Sequence, residues 1–156
     1  MIDEPRILQT TARRAAVIHV TCPRDQIRDV MGPGYSELMD TLKAQGLTPT
    51  GPWFTHHFKM DPAVFDFEIC APLDQPVKPA GRVKNGELPA ARAAFTVHHG
   101  GYEDLPAAWA QFDAWISTND HKPAEGLWEV YAVGPGSGDD ASKWQTELYR
   151  PLQQPG

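Results

Sequence analysis

Thr146-Glu147-Leu148-Tyr149-Arg150-Pro151-Leu152 repeats, in pattern and spacing, the earlier stretch Phe67-Glu68-Ile69-Cys70-Ala71-Pro72-Leu73. Two further echoes fall in the same order. Gly34-Tyr35-Ser36-Glu37-Leu38 matches Gly101-Tyr102-Glu103-Asp104-Leu105, both read as opening a helix, and Gly51-Pro52-Trp53-Phe54 matches Gly126-Leu127-Trp128-Glu129. Three matches in one order predict a duplicated unit, and such repetition decides an architecture before any single element does.

The first copy begins with a β-branched, apolar run, Arg13 to Thr21, that reads as a strand. Tyr35, Leu38, Met39 and Leu42 then fall at i, i+3, i+4 and i+7, and Gly46 stands where a C′ residue would stop the helix. Trp53 to Lys59 and Val64 to Ala71 read as two strands joined by a turn at Met60 to Ala63. In the second copy Arg92 to His99 is the strand, and Tyr102, Leu105, Trp109, Phe112 and Ile116 make the helical stripe. Pro106 lies in the first turn of that helix, where a missing donor costs little. Leu127 to Val133 and Lys143 to Arg150 are the last strands, separated by a loop over Gly134 to Asp140. The expected fold is therefore α+β: duplicated β-α-β-β units with pseudo-twofold symmetry, an antiparallel sheet with helices on one face, and a ligand groove between them. One domain is expected over 1–156, with repeat 1 at about 12–73, a linker at about 74–90 and repeat 2 at about 91–152.

Composition agrees. A chain of 156 residues with 15 Pro and 13 Gly is poorly suited to a helical bundle, because each breaker weakens an element interior. Lys plus Arg is 14 against 20 for Asp plus Glu, a net charge of −6. That field repels phosphate backbones and favours cations, so direct nucleic-acid binding is not expected. No apolar run reaches the roughly 18 residues of a membrane span, and the start, Met1 to Leu8, has no signal-peptide pattern. A cytoplasmic protein is expected, with Cys22 and Cys70 free and buried.

Among residues that could carry chemistry, Glu129 stands out. In Leu127-Trp128-Glu129-Val130-Tyr131-Ala132-Val133 it shares one strand face with Leu127 and Tyr131. A carboxylate set among rings suits a cation, whose charge is met by ring faces and one negative group. Its counterpart in the first copy reads as Phe54, an apolar residue, so the repeat's fold does not need a carboxylate there. Glu68 and Glu147 occupy equivalent places and read as structural. Trp109, Phe112 and Phe95 are most simply core, whereas Tyr35, Tyr102, Trp53, Trp128, Tyr131, Tyr149 and Trp144 exceed what a core of this size needs. His56, His57, His98 and His99 form two adjacent pairs, and neighbours on a strand point to opposite faces, so no metal site is expected. No cofactor motif is present; Gly134 to Gly138 lacks the Lys of a phosphate-binding loop.

With these residues in hand, the chain resembles the GyrI-like family, the effector-binding domain attached to AraC- and MerR-type multidrug regulators. The resemblance rests on His98-His99-Gly100-Gly101-Tyr102-Glu103-Asp104-Leu105, Trp115-Ile116, Trp128-Glu129-Val130-Tyr131 with Gly134-Pro135, and Trp144 to Leu152. Gly101 departs from it, standing where family members often carry Pro. The resemblance implies a groove in which Glu129 contacts cationic aromatic compounds. The groove lining expected on these grounds is Glu129, Tyr131, Tyr35, Trp53, Phe54, His56, His99, Tyr102, Trp109 and Tyr149. Stand-alone members are similar to drug-sequestering or gyrase-inhibiting proteins, or to hydrolases that open cyclopropane rings of DNA-alkylating natural products. The leading expectation is a stand-alone protein that captures hydrophobic, cationic small molecules. The alternatives are a hydrolase with Glu129 and Tyr149 as catalytic residues, and an interaction protein with a protein partner.

Overall fold

The computed structural model describes residues 2–60, 62–134, 138 and 140–153. The fold is α+β, and it divides into two compact units: Thr11–Ala90, and Met1–Thr10 with Ala91–Gly156. Each unit carries one helix and a four-stranded antiparallel sheet.

The unit Thr11–Ala90 contains β2 (Arg13–Pro23), α1 (Ile27–Ala44), β3 (Phe54–Met60), β4 (Val64–Pro72) and β5 (Val83–Leu88), in the sheet order β3-β4-β2-β5. Alternation puts Ala16, Ile18, Val20 and Cys22 of β2 with Phe67, Ile69 and Ala71 of β4 on the side where Leu38 and Leu42 of α1 are buried. Burying each such large apolar side chain contributes about 1.5–3 kcal/mol. The helix starts earlier than expected. Ile27, Val30 and Met31 pack on this core and extend α1 ahead of Gly34, with Pro33 inside it. Core packing outweighs the breakers here. A Cβ on Gly34 would stand 2.5 Å from Ile69 Cδ1, so the glycine lets α1 lie close on β4.

The expected linker, about 74–90, also holds structure. Its Val83–Leu88 segment is β5, paired with β2 from Arg13↔Leu88 to Ile18↔Val83. It covers backbone groups of β2 that would otherwise form an open edge, and it buries Val83 and Leu88. Asn85 fastens the preceding loop: its Nδ2 donates to Val77 O, and Val77 N–H donates to its Oδ1, each at 2.8 Å. The turn expected at Met60 to Ala63 includes Asp61, which lies outside the described residues.

The second unit contains β1 (Arg6–Gln9), β6 (Arg92–His99), α2 (Leu105–Thr118), β7 (Leu127–Val133) and β8 (Gln145–Pro151), in the order β1-β6-β8-β7. Ala94, Leu148 and Leu152 pack with Ala108, Phe112 and Ile116 of α2. A 3₁₀ turn, Tyr102–Asp104, leads into α2. The two units share one plan, down to the edge strand, but the edge strand of this unit, β1, comes from the start of the chain.

The paired strands give the true register of the repeat. Ile69 pairs with Thr55 as Leu148 pairs with Glu129, and Cys70 pairs with Phe54 as Tyr149 pairs with Trp128. Thr55, not Phe54, is therefore the counterpart of Glu129. The helix ends agree: Leu47 N–H donates to Leu42 O as His121 N–H donates to Ile116 O, after Gly46 at φ 70° and Asp120 at φ 61°. Tyr35 thus corresponds to Trp109 rather than to Tyr102. The likeness of the two Gly-Tyr segments is not a structural equivalence, since Tyr35 lies in the middle of α1 and Tyr102 precedes α2.

Candidate functional site

The second unit gathers the polar groups. On its helix-covered face, Glu129 of β7 is half-buried, with Oε2 accepting from Trp109 Nε1–H at 2.6 Å and Oε1 from the Tyr131 hydroxyl at 2.8 Å. Trp109 reaches it from α2 and Tyr131 from two residues along the strand, as the strand period requires. The Tyr102 ring meets Tyr131 edge-on at 5.7 Å and Trp144 at 5.1 Å. A Cβ on Gly134 would stand 2.6 Å from the Tyr102 hydroxyl, so the glycine makes room for that ring.

Burial pushes the Glu129 carboxyl above the usual carboxylate range, while the Trp109 and Tyr131 hydrogen bonds and the nearby His98 hold it back. The Tyr102 hydroxyl is also raised, by burial first and by the Glu129 charge second. Both carboxylate oxygens are thus held by neutral donors, with lone-pair positions left over for a further donor or a cation.

Tyr149 and His99 do not join this cluster. Tyr149 is the register partner of Trp128, so it faces away from Glu129, stacked on Trp128 at 5.0 Å and donating to Glu147 Oε1 at 2.9 Å. It belongs to a row running Arg6↔Phe95↔Tyr149↔Trp128 through all four strands, closed by the Arg6 guanidinium 5.2 Å from the Phe95 ring. His99 shares that face and pairs with Asp3 Oδ1 at 2.9 Å. In the sheet of the first unit, His56 stands across from Glu68, and Glu68 across from His19. Glu68, raised by burial, and Glu147 thus both lie on the sheet faces opposite the helices, as their equivalent places in the repeat imply.

The remaining candidates belong to the unit Thr11–Ala90. Tyr35 and Trp53 are in contact, with ring centroids 4.7 Å apart, and Tyr35 is 37% exposed. Phe54 and His56 lie on the face opposite Thr55 and His57. His57 stacks on Phe67 at 4.9 Å, and burial, helped by the charges of His56 and Arg24, lowers its pKa to about 4. Cys22 and Cys70 are free and buried.

His98 is the residue that sequence reasoning weighed only as a metal ligand. It is 1% exposed, on the covered face of β6, with Nε2 at 3.1 Å from Gly101 O. Strand parity separates His98 from His99, but only the placement of α2 tells which of the two is enclosed. Among the described residues, no group of three or more His, Cys, Asp or Glu could hold a metal ion. No helix of the described residues is long and apolar enough to cross a membrane.

Residues 3–153 match the family model described as GyrI-like small molecule binding domain. No curated protein matches the chain. Among solved structures, the EcmrR C-terminal domain is similar with a TM-score of 0.84 at 21% identity, covering 97% of this chain and 98% of that one. EcmrR in its DNA complex gives 0.83 at 21% identity, and the chain spans 58% of that protein's length. SAV2435 bound to tetraphenylphosphonium gives 0.72 at 13% identity, covering 97% and 94%. A hydrolase from Listeria innocua gives 0.62 at 14% identity, covering 96% and 92%.

Proposed function

The chain belongs to the GyrI-like small-molecule-binding family, and from that premise we propose that it captures hydrophobic cations, with Glu129 as their counter-charge. The observation that carries this reading is the Glu129 carboxylate set among Trp109, Tyr131 and Tyr102. A hydrophobic cation loses water's solvation on entering such a place and regains it from ring faces and a fixed negative charge. The indole and phenol donors hold the carboxylate in position before the ligand arrives, which lowers the ordering cost of binding. A fold relative, SAV2435, is described as bound to tetraphenylphosphonium, a large aromatic cation of this class.

The test is a titration of the protein with tetraphenylphosphonium, followed by tryptophan fluorescence. Glu129→Gln removes the charge at nearly constant volume and is expected to weaken binding about tenfold or more. Saturable binding unaffected by Glu129→Gln, or no binding, would refute the reading.

One observation favours a second reading, hydrolysis of a strained electrophile: the Glu129 carboxyl is raised by burial toward the range where a carboxylate serves as general base. Tyr149 would not assist it, since it stands on the other face of the sheet. Mass spectrometry of a cyclopropane-bearing alkylator incubated with the protein separates the two readings. Turnover above the Glu129→Gln background favours hydrolysis, and its absence leaves capture alone.

A further inference from the structure

Two fully buried polar atoms on the sheet face that carries Glu129 have no hydrogen-bond partner among the described residues: His98 Nδ1 and Thr146 Oγ1. The two residues are direct register partners, His98 on β6 and Thr146 on β8, exposed by 1% and 0%. Paired residues on one sheet face hold their Cβ atoms about 4.5–5.5 Å apart. The face is the one that carries Glu129, because Glu129 pairs with Leu148, and Thr146 lies two residues from Leu148 along the same strand. His98 is close enough to Glu129 for the two side chains to influence one another electrostatically.

The protonation pattern of His98 follows from its one partner. Gly101 O can only accept, so Nε2 carries the hydrogen. In the neutral ring Nδ1 is then a bare acceptor. Thr146 Oγ1 is an acceptor too, with one rotatable hydrogen of its own. Leaving such atoms buried and unpaired costs about 1–3 kcal/mol each, so two adjacent ones on a binding-site face call for a donor from outside the chain.

We propose that His98 Nδ1 and Thr146 Oγ1 form, next to Glu129, an acceptor pair that selects cations bearing N–H groups over cations that have none. A primary ammonium has three N–H donors set about a tetrahedral nitrogen. One meets a Glu129 oxygen, and the other two meet His98 and Thr146. A quaternary ammonium or a phosphonium satisfies the charge of Glu129 and leaves both acceptors unpaired. The general preference for cations rests on the proposed function above; the preference among cations rests on this pair.

The experiment compares two matched cations, 4-phenylbenzylammonium, with three N–H groups, and its N,N,N-trimethyl salt, with none, each titrated by calorimetry at pH 7. The wild-type protein is expected to bind the primary ammonium about tenfold or more tightly than the quaternary salt. Thr146→Val keeps the side chain's shape, and it is expected to weaken the primary ammonium about fivefold while changing the quaternary salt less than about twofold. His98→Phe is expected to act in the same direction, with its melting temperature recorded to confirm folding. A primary-to-quaternary ratio that stays unchanged in Thr146→Val overturns the proposal. If the quaternary salt binds and depends on Glu129 but that ratio does not move, capture by Glu129 stands and the acceptor pair falls. If neither compound binds, both fall.

Discussion

Trp109 Nε1–H donates to Glu129 Oε2 across 2.6 Å, linking α2 to β7 through the one carboxylate on the covered face of that strand. The bond favours the charged form of a group that burial disfavours. Trp109→Phe keeps a ring and removes the donor, so the Glu129 carboxyl is expected to titrate at still higher pH. Loss of a hydrogen bond to a charged group is worth about 1.5–3 kcal/mol, part of which goes into that titration.

The consequence is measurable with a ligand of fixed charge. Tetraphenylphosphonium carries its charge at every pH, so its affinity is expected to rise with pH as Glu129 ionises, beginning above the ordinary carboxylate range because the group is raised. Glu129→Gln is expected to flatten the profile, and Trp109→Phe to displace its rise to higher pH. A fluorescence titration repeated between pH 4 and pH 8, a range set about the ordinary carboxylate and imidazole values, reads all three.

Acid stability depends on a different residue. His57 is held neutral, with its pKa lowered to about 4 from 6.5. In the unfolded chain it gains its proton near the ordinary value, so stability is lost as pH falls from 6.5 toward 4, by up to about 3 kcal/mol in all. His57→Phe retains the stack on Phe67 and removes the titration. Denaturant unfolding is expected to give the variant a stability less dependent on pH across that window, with the largest gain at the acid end.

The helix ends offer a stabilising change. Asp120 adopts φ 61° at the position where the other helix has Gly46 at φ 70°. A side chain in the left-handed region costs about 1 kcal/mol, somewhat less for Asp. Asp120→Gly is expected to raise the melting temperature by a few degrees at most, without altering cation binding.

Gly134 bears on the site without touching its charge. A methyl group there would stand 2.6 Å from the Tyr102 hydroxyl, so Gly134→Ala is expected to displace that ring and weaken tetraphenylphosphonium binding several-fold. The melting temperature is expected to hold, because Tyr102 is half-buried and can shift toward solvent.

Much of this fold was legible as alternation and punctuation. Arg92–His99 and Leu127–Val133 have the bounds that their pattern predicts, and Gly46 ends α1 as its position implies. What escaped reading depends on tertiary contact. Val83–Leu88, interrupted by Asn85 and Gly86, has little strand character of its own and becomes β5 because β2 has an edge to be paired. The register of the repeat slips by one when Trp53 is set against Trp128, since identical rings outweigh strand parity in a sequence comparison. Glu129 was found because its strand is strongly patterned. His98 was not placed beside it, because which face a helix covers is a property of the packed unit.

Thr55 and Glu129 occupy one position in two copies of a single plan. A buried acid usually taxes the whole domain that contains it. Here the copy with threonine keeps an uncharged interior at that point, so the burden of the acid falls on its twin alone. Doubling the unit thus works as a division of labour: one copy is free to be an ordinary fold while the other is remodelled around a charge.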